Sequence, residues 1–354
     1  MLVFHNDEVK RVLTMDVCLE AIEEAYRDYG QGGAVNIPRA DMLTSHPQEG
    51  FFYEFKTMSG AVPRYDICAL RLSSSVIAWP TILGTYRKEK VPAAPGNRWL
   101  GLVMLFRISN GELLCVFPDG YLQRMRVGAT SGIGAKYMAR KDAGRVGMLG
   151  SGFQAGAQLM AICEVRKIGE IKVYSPNRDH RVAFCVEMEK QLGVMAKPVD
   201  DPQEAARNTD ILITATNSMM PLTRPEWFRP GMHVTSVRPI EIDDESFKRF
   251  DRIIKNSFEA EPLYYPMERC KTPDTEVGWS SYQREFFPKL RILAEVVAGK
   301  APGRERDEEV TYFMNSVGLG IQFAAVGAKF YELACRHGLG KEIPTEWFLQ
   351  TLHT

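Results

Sequence analysis

From Arg145 onward, short apolar runs alternate with longer stretches in which apolar residues return every third or fourth position. The runs "RVGMLG", "EIKVYS" and "VMAKPV" read as strands, and the intervening "FQAGAQLMAICEVR" and "RDHRVAFCVEMEKQLG" read as helices. "DPQEAARN" continues the series as a helix, and "DILITAT", "HVTSV" and "RIIKNS" as further strands. Strands separated in this way predict βαβ units and a parallel sheet.

The first 125 residues follow a different pattern. "MDVCLEAIEEAYRDYGQG" has a helical period, whereas "GFFYEFKTM", "DICALRLSSS", "LGLVMLFRIS" and "GELLCVFP" read as strands, an α+β arrangement. Asn110-Gly111 is a two-residue hairpin signal that asks for positive φ. Residues 76–99, rich in proline and basic side chains, predict a long excursion, either a functional lid or a mobile surface insertion. "MRVGATSGIGAKYMAR" predicts a helix leading into the parallel sheet, and "SVGLGIQFAAVGAKFYELACRHGLG" a long amphipathic helix ending at a glycine stop.

The turn "GSGFQA" lies where the first parallel strand meets its helix, the context that gives a G-x-G-x-x-G/A pattern its meaning. Gly150 makes the tight turn, Gly152 lets backbone N–H groups of the Ser151–Gln154 stretch approach a pyrophosphate, and Ala155 permits close helix–strand packing. The helix N-terminus then holds the negative charge. Phe153 and Gln154 complete this candidate cradle, and Thr216 and Val237, at the ends of later strands, complete the candidate dinucleotide site. About twenty residues beyond the glycines, where an NAD site places an acid for the ribose 2′-OH, this chain offers Ser175, Asn177, Arg178 and Arg181. A hydroxyl, an amide and guanidinium groups suit a 2′-phosphate, so NADP(H) is favoured, with NAD(H) possible. The competing view treats these arginines as solvated charges at a helix start.

Charge and composition narrow the partners. Lys plus Arg and Asp plus Glu each number 44 in 354 residues, so no net field draws nucleic acid. Hydrophobic residues make up 45%, enough for two domain cores. The cysteines (Cys18, Cys68, Cys115, Cys163, Cys185, Cys270, Cys335) are scattered without CxxC spacing, which argues against a disulfide framework and a zinc site. No metal is expected. Met1 is not followed by a basic and then an apolar leader pattern, and no apolar run reaches the length of about eighteen residues that a span needs. A cytoplasmic protein with reduced thiols and no membrane contact is the expectation.

Taken together, "RVGMLGSGFQAGAQLMA", "GMHVTSV", "AGKAPGRERDEEVTYFMNSVGLGIQFAA" and the early "IPRADM" resemble the ornithine cyclodeaminase/μ-crystallin family over nearly the whole chain. "PGNRWLGLVMLF" and "RMRVGATSGIGAKYMA" support the resemblance in the right order. The fold class expected is α/β, with a Rossmann-type parallel-sheet domain over 126–316. An α+β substrate-binding and dimerisation domain is expected from 1–125 together with 317–354, and hence a homodimer. The family includes amino-acid cyclodeaminases, alanine dehydrogenases and ketimine reductases, all of which shuttle hydride at an amino-acid α-carbon.

By the same resemblance, Arg39 and Arg126 match the arginines that hold the substrate carboxylate. A guanidinium fork suits that task, although either residue read without the family is more often a surface or ion-pair arginine. Where the family has a lysine, this chain has Arg71, which can hold charge but not relay a proton. Lys56, at a place where some relatives carry Glu, is the candidate to restore an amine, or else lies on an exposed face. Beyond Val237 the chain reads "SVRPIEIDDES" without the aligned cyclodeaminase Asp, and "TYFMNSVGLG" lacks a lysine frequent in relatives. The expected function is an NAD(P)H-dependent oxidoreductase acting on a small imine or ketimine carboxylate, or on the corresponding amino acid. The alternatives are a cyclodeaminase releasing ammonia and a non-catalytic NADP-binding protein.

Overall fold

A computed structural model describes residues 1–82, 84–259, 262–267 and 280–352. The first sheet is mostly antiparallel, in the order Leu263–Pro266, Val35–Ser45, Phe52–Val62, Ile67–Ala78, Leu100–Arg107, Leu113–Pro118, Leu2–Val3 and Lys341–Glu342. Strict alternation along Ile67–Ala78 buries every second residue. That period turns Arg71 to the same face as Ala69, Ser73 and Ile77. The second sheet is parallel, in the order Met195–Pro198, Glu170–Tyr174, Arg145–Leu149, Ile211–Thr214, His233–Ser236, Thr311–Met314, Arg252–Lys255 and Arg291–Ile292. It is the Rossmann-type sheet that the βαβ pattern implies.

Several expectations are amended. Val35–Ser45 is a strand, although Pro38 and an irregular register between Ile37 and Ala40 hide its alternation. Thr311–Met314 inserts between two earlier parallel strands, an order that chain sequence does not suggest. Leu263–Pro266, within the 126–316 stretch assigned to the dinucleotide domain, pairs instead with Val35–Ser45. At the hairpin only Gly111 has positive φ (76°), because Gly111 N–H and Arg107 N–H bond to Arg107 O and Glu112 O across a longer loop. The 76–99 excursion is not irregular: Thr81–Ile82 pairs with Thr85–Tyr86, and Glu89–Val91 folds back onto residues 76–78. The described cysteines are all unpaired, and Cys270 lies outside the described residues.

The helix Gly120–Met138 runs between the two sheets and is buried along almost its whole length. Small residues make that possible. A Cβ at Gly128 would overlap Ala157 O of the helix Phe153–Val165, and one at Gly132 would lie 2.9 Å from Ala161 Cβ. The helix Gly320–Arg336 crosses the strands Phe52–Val62 and Ile67–Ala78, where Gly320 and Gly60 meet backbone to backbone. One apolar core spans the first sheet, these helices and Met15–Gln31.

Replacing a helix-interior glycine by alanine ordinarily stabilises by about 1 kcal/mol. At Gly128 the carbonyl of Ala157 occupies the methyl's place, so overpacking outweighs propensity. Gly128→Ala is expected to lower stability by about 1–3 kcal/mol in urea unfolding. Gly144→Ala, whose nearest neighbour would be 3.6 Å away, is expected to stay within about 0.5 kcal/mol of the parent.

Candidate functional site

A cleft of about 1130 Å³ opens between the two sheets. Its walls combine the inner face of the antiparallel sheet, the start of the helix Gly120–Met138 and the glycine turn. Cross-strand register builds the first wall. Asp41, Lys56 and Ser73 lie directly opposite one another, and Met58 lies opposite Arg71, in the next row but one. Alternation puts Arg39 with Asp41, and Glu54 with Lys56, on that same face. The Ser73 and Ser75 hydroxyls and Glu54 Oε2 are buried on that face without hydrogen-bond partners.

These charges form a chain. Arg39 pairs bidentately with Asp41, Lys56 Nζ lies 3.1 Å from Asp41 and 2.9 Å from Glu54 Oε1, and Lys88 Nζ lies 2.7 Å from the same Glu54 oxygen. Burial would raise both carboxyls, but Arg39 and Lys56 hold Asp41 at about 2, and Lys56 and Lys88 hold Glu54 well below its ordinary range. Burial pushes Lys56 down to about 8, against the pull of Glu54 and with the help of Lys88 and Arg39. Lys56 is thus an amine poised near neutrality.

The arginines are held differently from one another. Arg71 donates from Nε (2.8 Å) and Nη2 (2.6 Å) to Asp119 Oδ2, at the N-terminus of the long helix. Arg126 lies behind the cleft wall, 5% exposed, and donates only to the amide oxygens of Gln123 and Gln322, stacked 4.8 Å from the Phe323 centroid. Burial first, and then the like charges of Arg71 and Arg39, bring it down to about 9. Arg39 and Arg71 line the cleft, whereas Arg126 supports them from the next layer.

At the opposite wall the cleft reaches Phe153, Gln154, Thr216 and Val237. Gly150 is structural: its φ is 117°, and a Cβ there would overlap Ala215 O. Gly152 differs. Its φ is −90° and a Cβ there would meet nothing within 4 Å, so its lack of a side chain leaves open the space a pyrophosphate would fill. Gln154 Oε1 is buried without a partner, and Ala155 packs into the core. Beyond the turn, Ser151 Oγ donates to Ser175 Oγ (2.9 Å). Asn177 Oδ1 caps the next helix by accepting from His180 N–H, which leaves only its amide NH₂ for a ligand. Arg181 turns inward to Ser175 O and Asp200, whereas Arg178 is exposed and carries no partner among the described residues. The dinucleotide fold and its cradle therefore fit the group that the turn implies.

Sequence reasoning missed the acids. Asp41, Glu54 and Asp119 were legible only by pairing period-2 positions across strands. Glu241, from the segment lacking the expected Asp, is buried and accepts from Thr214 Oγ1 (2.7 Å), Thr216 N–H (2.8 Å) and Thr216 Oγ1 (2.5 Å). It shapes the Thr216 loop and does not line the cleft. The 76–99 excursion also reaches this loop: Met219 N–H donates to Tyr86 O (2.9 Å) and Asn217 Nδ2 to Glu89 Oε1 (2.7 Å).

The family model described as "Ornithine cyclodeaminase/mu-crystallin family" matches residues 1–337. Alanine dehydrogenase of Archaeoglobus fulgidus is 31% identical over 97% of this chain and 98% of its own length. Among solved structures, Thermococcus litoralis Δ1-pyrroline-2-carboxylate reductase in complex with NADH and L-proline superposes with a TM-score of 0.78 at 28% identity, over 97% of this chain and all of its own (100%). An archaeal alanine dehydrogenase dimer with bound NAD gives 0.76 at 26% identity, over 97% of this chain and 99% of its own.

Because burial lowers Lys56 while Glu54 raises it, Glu54→Gln is expected to move the Lys56 midpoint below about 8. Titration of ¹³C-labelled lysine Cε resonances reads this directly. An unchanged midpoint in the variant contradicts the coupling.

Proposed function

The chain belongs to the ornithine cyclodeaminase/mu-crystallin family, and from that premise we propose that it is an NAD(P)H-dependent oxidoreductase reducing a small imine or ketimine carboxylate to an amino acid, or running the reverse oxidation. The observation that carries this reading is one cleft with an open glycine turn on one wall and a cationic, proton-holding floor on the other. When bound, the dinucleotide supplies or accepts hydride at the substrate α-carbon.

The chain's own residues do the rest. Nine lysines and arginines line the cleft against five aspartates and glutamates, an excess suited to an anionic substrate in a chain of zero net charge. Arg39 and Arg71 grip the carboxylate, with Arg126 adding charge from behind, and their acid partners Asp41 and Asp119 fix the forks in place. Lys56, largely protonated below its midpoint of about 8, donates a proton to the imine nitrogen in reduction and takes it back in oxidation. Thr216 and Val237 shape the wall that the nicotinamide end would occupy.

The cofactor preference rests on the far end of the turn. Arg178, unpaired and exposed, together with the Ser151–Ser175 hydroxyl pair and the Asn177 amide, favours a 2′-phosphate and hence NADP(H). The related pyrroline-2-carboxylate reductase and alanine dehydrogenase structures hold NADH and NAD, which supports a nicotinamide dinucleotide of either kind in this fold. A homodimer is supported by apolar side chains left exposed along the sheet edge, Val35 (60%), Ile37 (56%) and Tyr265 (59%), where no described strand covers them. No described helix is long and apolar enough to cross a membrane.

Net oxidation of NADPH on addition of Δ1-pyrroline-2-carboxylate or of pyruvate with ammonia tests the reading. Ammonia release without net cofactor change marks a cyclodeaminase, and no turnover of any imine carboxylate or amino acid marks a binding protein. In an active parent, Lys56→Met is expected to lower kcat about 10²–10⁴-fold at neutral pH. For the cofactor, NADPH is expected to bind about tenfold or more tightly than NADH, about 1.4 kcal/mol, with Arg178→Ala removing most of the gap. Gly152→Val is expected to abolish binding of both while leaving circular dichroism unchanged, since the open space at 152 then fills with side chain.

A further inference from the structure

Arg124 lies two residues before Arg126, yet it faces a different neighbour. Its guanidinium lies 5.4 Å from the centroid of Phe153, at the glycine turn, and Phe153 is itself 58% exposed. A Cβ at Gly156, in the first turn of the helix that follows, would overlap Arg124 Nη2. Gly156 therefore leaves the space into which the Arg124 head group folds. Arg124 Nε is buried without a hydrogen-bond partner, and no described carboxylate pairs with the guanidinium. The residue also lines the cleft beside Phe153 and Gln154. An unneutralised, partly desolvated cation lies over the N-terminal turn of a helix that already favours negative charge, next to the open space at Gly152.

We propose that Arg124 is a diphosphate clamp: its guanidinium reaches across from the helix Gly120–Met138 to bind the pyrophosphate of the dinucleotide, closing the glycine turn from the substrate side. The inference rests on the dinucleotide reading above. It gives Gly156 a role of its own, because that residue's missing side chain is what admits the clamp. It also separates two arginines by ligand group, since Arg124 serves the diphosphate common to both cofactors and Arg178 the phosphate that only NADPH carries.

Equilibrium binding of NADH and of NADPH, followed by nucleotide fluorescence at several salt concentrations, tests the clamp without turnover. Arg124→Ala is expected to weaken both ligands alike by about tenfold or more, the loss typical of one charge-assisted contact, and to flatten the salt dependence. Arg124→Lys is expected to restore part of the affinity. Gly156→Ala displaces only the flexible end of Arg124, so it is expected to keep its melting temperature while losing affinity, and to lose little more when combined with Arg124→Ala. Parent-like affinity of a folded Arg124→Ala protein for both nucleotides, or a loss confined to NADPH, overturns the clamp while leaving the dinucleotide site standing. Failure of the parent protein to bind either nucleotide overturns both.

Discussion

The close approach of Gly120–Met138 to Phe153–Val165 governs the rest of the molecule. With Gly128 against the Ala157 carbonyl and Gly132 against Ala161, the two helix backbones lie as near as side-chain-free contact permits. One helix begins beside the cleft arginines Arg71 and Arg124, and the other at the glycine turn. Their mutual position is set by backbone contact, so the spacing of the two cleft walls depends little on side-chain rotamers. That is the requirement hydride transfer places on a protein, whose main contribution is to hold two reacting carbons at a fixed distance.

Much of the fold was legible because its periods are unambiguous. The alternation of apolar strands with amphipathic helices between Arg145 and Val199 announces the parallel sheet, and the glycine turn sits where that pattern places it. What escaped was non-local. The strand Thr311–Met314 enters the middle of a sheet whose neighbours are far earlier in sequence, and Leu263–Pro266 leaves its own half of the chain to pair with Val35–Ser45. Neither choice has a local signature, since any short apolar strand can pair with any compatible edge.

The site divides along the same line. Lys56, Arg39 and Arg71 were found by type and resemblance, and their facing follows from a period of two. Their environment was not legible, because a lysine's proton affinity depends on which carboxylates the register brings opposite it. Burial lowers Lys56, while Asp41, facing it across one strand pair, and Glu54, flanking it along its own strand, pull the other way and hold its midpoint at about 8. Asn177 illustrates the converse. As a helix cap its oxygen is already committed, so half of a side chain read as ligand-binding from sequence serves the backbone.

The excursion between residues 76 and 99 joins the antiparallel sheet to the loop after Ile211–Thr214 through Tyr86, Met219, Glu89 and Asn217. A widening of the cleft at this point would separate those partners. The same segment carries Lys88 to Glu54, so the tether between the two walls and the charge around Lys56 share one stretch of backbone.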